Sequence, residues 1–315
     1  GKGEATRRDS QSAAAGVNLQ RDLEYAFSEV EREEYAPSSA MELFYIDGSI
    51  PEGYEYSRIT RIYGAGEVQE INGSEQVQVT ASVKMSVQEE RFPIRHYATS
   101  TKYSIFQEMA DRARKSNYSQ VSEELRIARD ILNEHANYRT WYGNPQSGQY
   151  GVLNYPWIEK YTLSTVFSDA TSWDDLKDAL MRFVSRPFIQ SKTLRRPDAL
   201  VVSPRVRELL YRKTKSAGAS EISVAKWFLE NNSSGIREFL VAHELQGVGP
   251  GGYDVMIAYR RDRRSIANNI INPFGRLPLQ LMGMTYHNFL YMSHGGVIMR
   301  EVLGNVIGYV NAADA

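Results

Sequence analysis

Five histidines are the side chains of this sequence best suited to metal binding or to proton transfer near neutral pH. They are His96, His135, His243, His287 and His294. No two of them stand four residues apart with a glutamate between them, so the helical zinc motif is missing. His243 and Glu244 are adjacent on a predicted strand, where neighbouring side chains point to opposite faces. The chain has no cysteine, which excludes disulfides and thiolate metal sites. We therefore expect structural histidines, no bound metal and no cofactor.

A glycine-rich segment, residues 247–252, has the composition of a phosphate-binding loop. The dinucleotide motif needs a helix after its glycines, whereas residues 253–257 predict a strand. Pro250 also removes a backbone amide that could have faced a phosphate. Gly249, Pro250 and Gly251 are therefore predicted to form a turn at the tip of a hairpin.

The densest basic run is a set of four arginines around Asp262, namely Arg260, Arg261, Arg263 and Arg264. Three interpretations fit this run. The favoured one is a solvated turn between strands. The second is a charged rim contact with a neighbouring subunit, which would set register more than affinity. The third is a nucleic-acid contact, which needs aromatic partners, and the sequence offers little beyond Tyr259.

Nothing in the sequence pairs two groups for acid–base catalysis. The adjacent carboxylates Asp174 and Asp175 fit the first turn of a helix, where the helix dipole favours anions. Neither a nucleophile elbow nor a phosphate-loop lysine occurs in the chain. We predict no catalytic residues and a protein that is not an enzyme.

The longest regular pattern is an alternation of apolar and polar residues that predicts an extended strand. Its apolar members are Val77, Val79, Ala81, Val83, Met85 and Val87. A strand over residues 77–87 would span roughly 35 Å, about twice the usual length. Asn72 and Gly73 favour a tight turn just upstream, and residues 58–69 can form the returning strand. An isolated hairpin is marginal in water, so we expect another copy of the chain to cover its apolar face.

A second elongated element follows the hairpin. Apolar residues recur at spacings of three and four from Ile105 to Leu132, and charged residues fill most of the other face. A continuous helix over residues 104–137 would be roughly 50 Å long. Ser116 and Asn117 are poor mid-helix residues that could interrupt it. Such a helix is expected to join two lobes.

Composition is that of an ordinary soluble globular protein. The 315 residues are 42% hydrophobic and 24% charged, which favours roughly two domains. No apolar run approaches the roughly 20 residues of a membrane span, and the N-terminus has no apolar signal segment. Lys+Arg is 37 and Asp+Glu is 38, for a net charge of −1. Tight binding of nucleic acid normally needs a basic excess, whereas merely enclosing DNA does not.

The remaining elements are predicted from caps, turns and apolar runs. Ser172 should cap a helix that ends near Val184, and Ser203 followed by Pro204 should open another. Further helices are predicted at 19–35 and 222–231. Strands are predicted at 198–202, 239–244, 253–259, 279–285, 296–302 and 305–310. Residues 1–18 are small, polar and unpatterned, which is typical of a flexible arm.

The order of these parts resembles the major capsid protein of tailed phages, the Hong Kong 97 phage fold that encapsulins also use. Residues 141–156 resemble the glycine-bearing segment after the family's spine helix, and residues 196–204 resemble its strand-to-helix step in the axial domain. Its late strands and its return to the peripheral domain are matched by residues 259–265, 273–274, 278–280, 295–298 and 307–310. The resemblance covers about residues 20–312. One departure is that Glu301-Val302 stands where relatives often have a proline, and Lys84 matches no diagnostic crosslinking motif.

The resemblance implies an α+β, Hong Kong 97 phage-like capsid fold. The expected parts are an N-terminal arm (1–45), an extended loop, or E-loop, with adjoining peripheral strands (46–100), a spine helix (101–137), a peripheral domain (138–185 and 296–315) and an axial domain (186–295).

The same resemblance implies a structural major capsid protein that self-assembles into hexamers and pentamers of an icosahedral shell. The shell would enclose phage double-stranded DNA and touch it without sequence preference. Further expected partners are virion proteins such as portal or decoration proteins, with no membrane. The expected location is the virion, after assembly in the cytoplasm of the host bacterium. Two alternatives are an encapsulin-type nanocompartment shell and an α/β enzyme of unknown reaction.

Overall fold

Two five-stranded sheets and one long helix organise the part of the chain that the structure describes. The computed structural model describes residues 38–67, 82–113, 120–217 and 220–312. The helices in these ranges are α1 (Ser39–Leu43), α2 (Ile105–Ala113), α3 (Gln120–Tyr142), α4 (Trp173–Gln190), α5 (Pro204–Arg212) and α6 (Val224–Asn231). None of the helices within these ranges combines the length and apolarity needed to cross a membrane.

The strands belong to two five-stranded sheets and two two-stranded ribbons. They are β1 (Tyr45–Ile46), β2 (Tyr56–Gly66), β3 (Val83–Pro93), β4 (Arg95–Ser104), β5 (Glu159–Thr162), β6 (Ala199–Val202), β7 (Thr214–Ala217), β8 (Ser220–Ser223), β9 (Phe239–Val241), β10 (Asp254–Tyr259), β11 (Ala267–Arg276), β12 (Gln280–Met282), β13 (Thr285–Ile298) and β14 (Val306–Val310). The ribbons are β2–β3 and β7–β8.

Sheet 1 is built on the long strand β13. On one side β13 pairs antiparallel with β4 from Thr285↔Ser104 to His294↔Arg95. On the other side it pairs with β11 and then with β12, and β1 adds a parallel strand to β11. The pairing of β11 was not predicted, because this strand is half polar and irregular in register.

Helix α3 packs on sheet 1 through one narrow face. Ala128, Leu132 and Ala136 are buried against Leu290 and Met292 of β13. Spacing by four residues places these three side chains one above the other on the helix. The predicted long helix is therefore confirmed at 105–113, as α2, and from residue 120, where α3 continues to residue 142 instead of ending at 137. Residues 114–119, which include the suspected interruption, lie outside the described residues.

Sheet 2 has the order β5-β14-β10-β6-β9 and is buried on both faces. In β6, Leu200 and Val202 pack in one core cluster with α4, α5 and α6. Val201 packs in a second cluster on the opposite face, with Trp141 and Tyr155. Strands that are covered on both faces need apolar residues at successive positions, which explains the uninterrupted apolar sequence of β6.

Serine caps begin the helices around sheet 2. The side chains of Ser172 and Ser203 accept hydrogen bonds from the backbone N–H three residues later, at 3.1 and 3.2 Å. Both predicted helix starts are confirmed, and Ser223 caps α6 in the same way. Helix α4 extends through Pro187 to Gln190, past the predicted end near residue 184.

The predicted hairpin is present in the described residues. β2 pairs with β3 from Tyr56↔Pro93 to Gly66↔Val83, so the predicted second strand is confirmed at 83–87 and continues to Pro93. Residues 68–81 lie outside the described residues, and with them the predicted turn and half of the predicted strand.

The predicted domain boundaries do not follow the elements. The boundaries after residues 100, 137, 185 and 295 fall inside β4, α3, α4 and β13, respectively. Each sheet also combines segments that the sequence had divided between domains, because strands far apart in the chain pair side by side. The predicted boundaries therefore do not coincide with the ends of helices or strands, and the domain division stays a prediction.

Two predicted strands also differ in the structure. The predicted strand at 279–285 is split into β12 and the start of β13 by a turn at Gly283, whose φ is +65°. The predicted strand at 239–244 ends at Val241 and is followed by a 3₁₀ turn at His243–Leu245. Short apolar runs do not distinguish a strand from a turn that is packed in a core.

Candidate assembly surfaces

The β2–β3 hairpin presents an apolar face that the described residues of its own chain leave uncovered. Directly opposite pairs place Ile62 beside Val87, and Met85 and Val83 beside two glycines, on one face of the ribbon. The exposed fractions are 66% for Ile62, 50% for Val87, 69% for Met85 and 81% for Val83. Of the predicted assembly residues, the structure thus describes Val83, Met85 and Val87. The others, Asn72, Gly73, Val77 and Val79, lie outside the described residues.

Two glycines, which have no side chains, make this face of the ribbon flatter. Gly64 and Gly66 stand opposite Met85 and Val83. A Cβ added to Gly64 would meet no atom within 4 Å, and the φ of this residue is not positive. Glycine within a strand costs about 0.5–1 kcal/mol relative to alanine, and it often marks the close approach of another backbone. Nothing in the described part of the subunit requires a glycine at position 64.

The foot of the hairpin is anchored to the body of the subunit. Arg61 pairs with Glu90 across the ribbon at 3.2 Å and donates a hydrogen bond to the carbonyl oxygen of Met299 at 2.9 Å. Phe92 is 1% exposed. Burial raises the pKa of Glu90, while the charge of Arg61 acts against this rise. The hairpin therefore projects from a fixed base.

The arginine run lies in the turn between β10 and β11. Arg261 donates its backbone N–H to Asp198 at 2.6 Å and a guanidinium N–H to the carbonyl oxygen of Glu42 at 2.8 Å. Arg263 pairs with Asp47 at 3.4 Å. Burial acts to raise the pKa of Asp47, but hydrogen bonds from Ser49 and Arg300 outweigh it and lower the pKa. Arg261 and Arg263 thus hold the turn onto their own subunit.

The other two arginines of the run are bound less closely. The side chain of Arg264 is 72% exposed and lies 3.9 Å from Glu301, and Arg260 lies 4.0 Å from Asp262. Tyr259, the aromatic neighbour that a nucleic-acid contact would need, is 1% exposed and belongs to the core. Arg260 and Arg264 therefore remain candidates for a rim contact.

The glycine-rich segment forms a turn, but not the tip of a hairpin. Gly249 donates its N–H to the carbonyl oxygen of Tyr253 at 2.7 Å, and Pro250 begins a single 3₁₀ turn. Gly251 has a φ of +76°. The hairpin prediction is wrong because β6 lies between β9 and β10 in sheet 2, so the strands that flank this turn do not pair.

The histidines serve packing and local hydrogen bonds. His243 Nδ1 lies 3.3 Å from Glu244 Oε2, so the two side chains do not point apart as predicted, because the backbone turns there instead of extending. The buried Glu244 carboxylate accepts a hydrogen bond from Ser39 at 2.8 Å. His96 lies 2.8 Å from the hydroxyl of Ser293. Among the described residues, no three histidine or acidic side chains are grouped so that they could hold a metal ion.

Sequence reasoning missed a second exposed apolar surface. It lies where β12 meets β13 and α2 begins, and its side chains are 55–63% exposed. They belong to Phe106, Met109, Leu281, Met282 and Met284. The run at 279–285 was predicted only as a strand, and the position of β12 at the edge of sheet 1 reveals its exposure.

Comparisons with known proteins match capsid proteins of phages and an encapsulin. The family model described as major capsid protein matches residues 71–311, more than half of the 315 residues. The capsid of Myoviridae phage XM1 is similar in structure, with a TM-score of 0.77 and 17% sequence identity over 92% of this chain and 97% of that chain. Mycobacterium phage Bobi gives a TM-score of 0.59 and 13% identity over 91% and 94% of the two chains. The holo-SrpI encapsulin complex of Synechococcus elongatus gives a TM-score of 0.56 and 13% identity over 93% of this chain and 95% of that chain. A search of curated proteins gave no match.

Proposed function

We propose that this chain, which belongs to the major capsid protein family, assembles with copies of itself into the hexamers and pentamers of an icosahedral shell. It is a structural shell protein of the phage virion and not an enzyme. Its α+β, Hong Kong 97 phage-like capsid fold is the one predicted from the sequence. The alternative of an α/β enzyme is wrong, because the family is structural.

The observation that carries the proposal is the uncovered apolar face of the hairpin. Its four large side chains are 50–81% exposed. Burying a side chain of this size is worth about 1.5–3 kcal/mol when it is complete. Covering this face by a neighbouring copy would therefore stabilise each contact by on the order of 5 kcal/mol. In a closed shell every subunit would make such a contact, so individually moderate contacts add.

Membership of the same family also motivates a proposal for the contents and partners of the shell. We propose that the shell encloses phage double-stranded DNA and touches it without sequence preference. The net charge of −1 favours a shell that encloses DNA over one that binds DNA tightly. Portal and decoration proteins are the further partners that we propose, with no membrane partner, and assembly is proposed to occur in the cytoplasm of the host bacterium.

The sheets suggest revised domain assignments. We assign sheet 1 and α3 to the peripheral domain, and sheet 2 with α4, α5 and α6 to the axial domain. The basis is that α4, α5 and α6 pack with sheet 2 in one core cluster and α3 packs with β13 in another, while a third cluster joins the two groups. The β2–β3 hairpin is then the E-loop, and the spine helix ends at residue 142.

An encapsulin-type compartment shell is the second candidate. It is favoured by the encapsulin of Synechococcus elongatus, which shares the fold at a TM-score of 0.56. The phage XM1 capsid is more similar in structure, with a TM-score of 0.77. Purified particles separate the two: a phage shell from infected cells contains DNA that absorbs at 260 nm, whereas a compartment shell contains protein cargo.

The hairpin can be tested with two single substitutions on neighbouring positions. Val87→Asp places a carboxylate on the apolar face, and Ser86→Asp places one on the opposite face of the same strand. Both subunits are expected to fold, because Val87 is half exposed and Ser86 is exposed. We expect Val87→Asp to abolish shells in light scattering and negative-stain microscopy, and Ser86→Asp to retain them. Shells of Val87→Asp at the wild-type concentration would refute the role of this face.

A further inference from the structure

Three large apolar side chains are exposed at the end of helix α4. They are Ile189, Leu194 and Leu303, with exposed fractions of 70%, 78% and 64%. Ile189 belongs to the last turn of α4, and Leu194 lies in the loop that follows it. Leu303 belongs to the 3₁₀ turn Val302–Gly304, against which α4 lies. We call this surface, formed by two segments far apart in the chain, the Leu194 platform.

The loop that carries Leu194 has a strained backbone. Lys192 and Thr193 have φ values of 52° and 70°, in the left-handed region where glycine is the usual residue. In the described ranges, every other residue with positive φ is a glycine. Thr193 is β-branched, and such a residue is an outlier in this region. Because strained residues cluster at binding sites and other functional segments, this outlier points to a function for the loop.

Hydrogen bonds within the subunit hold the loop in this conformation. Thr193 donates its N–H to the carbonyl oxygen of Phe188 at 2.8 Å, and Leu194 donates to that of Ser191 at 3.2 Å. The hydroxyl of the buried Ser191 accepts the N–H of Arg195 at 2.8 Å. Leu194 is therefore exposed by a fixed backbone and not by a loose one. A preformed surface loses little conformational entropy when a partner binds.

The rim of the platform is basic. Arg195 pairs with Glu301 at 2.8 Å, and Arg264 of the arginine run lies 3.9 Å from the same carboxylate. Lys192 and Arg196 are exposed in the loop. Four positive charges against one negative charge leave a surplus of +3 in this rim. Since the whole chain has a net charge of −1, the rest of a copy carries −4, which favours its approach to the rim.

The platform is close to the foot of the hairpin. Arg61 of β2 donates a hydrogen bond to the carbonyl oxygen of Met299, and four residues further along the chain is Leu303. Four residues span at most about 14 Å, so a copy that covers the hairpin is within reach of the platform. Double-stranded DNA would also suit the basic rim. Its phosphates, however, are bound by charged and polar groups and would leave the apolar centre unused.

We propose that the Leu194 platform is a contact between copies of this chain. A neighbouring copy covers Ile189, Leu194 and Leu303 and brings acidic groups to Lys192 and Arg264. The inference rests on the proposed function, because assembly brings the second copy. It adds to the hairpin a second contact, in which an apolar centre is surrounded by charge, as is common in protein interfaces.

The test compares asparagine substitutions at two adjacent positions. Leu194→Asn removes an exposed apolar side chain, so the unfolding midpoint of the unassembled subunit should stay unchanged. The concentration needed for shell formation should rise about tenfold or more. Thr193→Asn is the matched control, because asparagine tolerates the left-handed backbone better than threonine does. It should raise the unfolding midpoint and assemble as the wild type does.

A single introduced thiol reports coverage directly, because the chain has no cysteine. Leu194→Cys should react with a maleimide quickly in the unassembled subunit. In shells assembled from the purified chain without DNA, the reaction should be about tenfold slower or more, because the thiol reacts only when the contact opens. Protection in shells without DNA identifies a second copy as the occupant.

Each outcome decides the inference. Assembly of Leu194→Asn at the wild-type concentration, or equal reaction rates of Leu194→Cys in subunits and shells, would overturn the platform contact. If Leu194→Asn does not fold, Leu303→Asn makes the same comparison, and its wild-type assembly would overturn the contact equally. A lowered unfolding midpoint of Thr193→Asn would overturn the strain on which the inference depends. Failure of the wild-type chain to form shells would instead overturn the proposed function.

Discussion

Acid is expected to destabilise the subunit through His294, at the contact between α3 and sheet 1. Burial, followed by the charges of His135 and Arg139, lowers the pKa of His294 to about 3. Its Nδ1 accepts the backbone N–H of Gly296 at 3.3 Å, so Nε2 carries the proton and donates to Asn268 at 2.9 Å. A proton on Nδ1 as well would make it a donor that faces a second donor, the backbone N–H of Gly296. The cationic form is therefore strongly disfavoured in the folded subunit.

The size and sign of the effect follow from proton linkage. The pKa is lower in the folded than in the unfolded chain, where it is about 6.5, so the unfolded chain binds more protons. The stability that this group contributes is present above pH 6.5 and is lost as the pH falls towards 3. Between pH 8 and pH 5 the loss is about 2 kcal/mol. The pKa of His135 is also lowered, by burial and by Arg139, and acts in the same direction.

Urea unfolding of the unassembled subunit at pH 8 and pH 5 measures this loss. His294→Gln removes the titrating group and retains a polar side chain. We expect the variant to be less stable at pH 8, but to lose about 2 kcal/mol less than the wild type between the two pH values. His135 titrates in both proteins, so the difference between them isolates His294. Equal losses in the two proteins would refute the reasoning.

Three further substitutions test other parts of the structure. Gly64→Val should leave the unfolding midpoint unchanged or raise it, because its Cβ meets no atom within 4 Å and glycine destabilises a strand. The same change should impair shell formation in light scattering, and normal assembly would argue against close approach at this face. Ser203→Ala should lower the free energy of unfolding in urea by about 2–3 kcal/mol, because the hydroxyl caps α5 and donates to the buried Asp254 at 2.5 Å; an unchanged midpoint would contradict this. Arg264→Glu should weaken assembly, less so at high salt, with little effect on folding; an effect independent of salt would exclude the charged rim contact.

Local features of the fold were predictable from the sequence. Ser172 and Ser203 begin helices because a hydroxyl before the first turn satisfies a backbone N–H within a few residues. The exposed apolar face at Val83, Met85 and Val87 follows from alternation along one strand. Each of these features depends on neighbours in the chain, and so does the apolar sequence of β6.

Pairing between distant segments was not predictable in the same way. The returning strand was expected, but not the register that sets Gly64 opposite Met85. The composition of the two sheets was not predictable because strands far apart in the chain, such as β4 and β13, lie side by side. The bulge in β13 at Gly295 and Gly296, opposite Asn269, depends equally on which residues of the two strands stand across from each other.

By itself, the sequence determined which segments are helices and strands at most positions, which faces are apolar and, through the order of its parts, the capsid fold. Only the tertiary structure decided which of those faces stay uncovered and which polar groups stay unsatisfied. Hydrophobic periodicity extends over a few residues, so it can be recognised from a short segment of the sequence. Burial and hydrogen-bond partnership depend on what the rest of the folded chain brings alongside each residue.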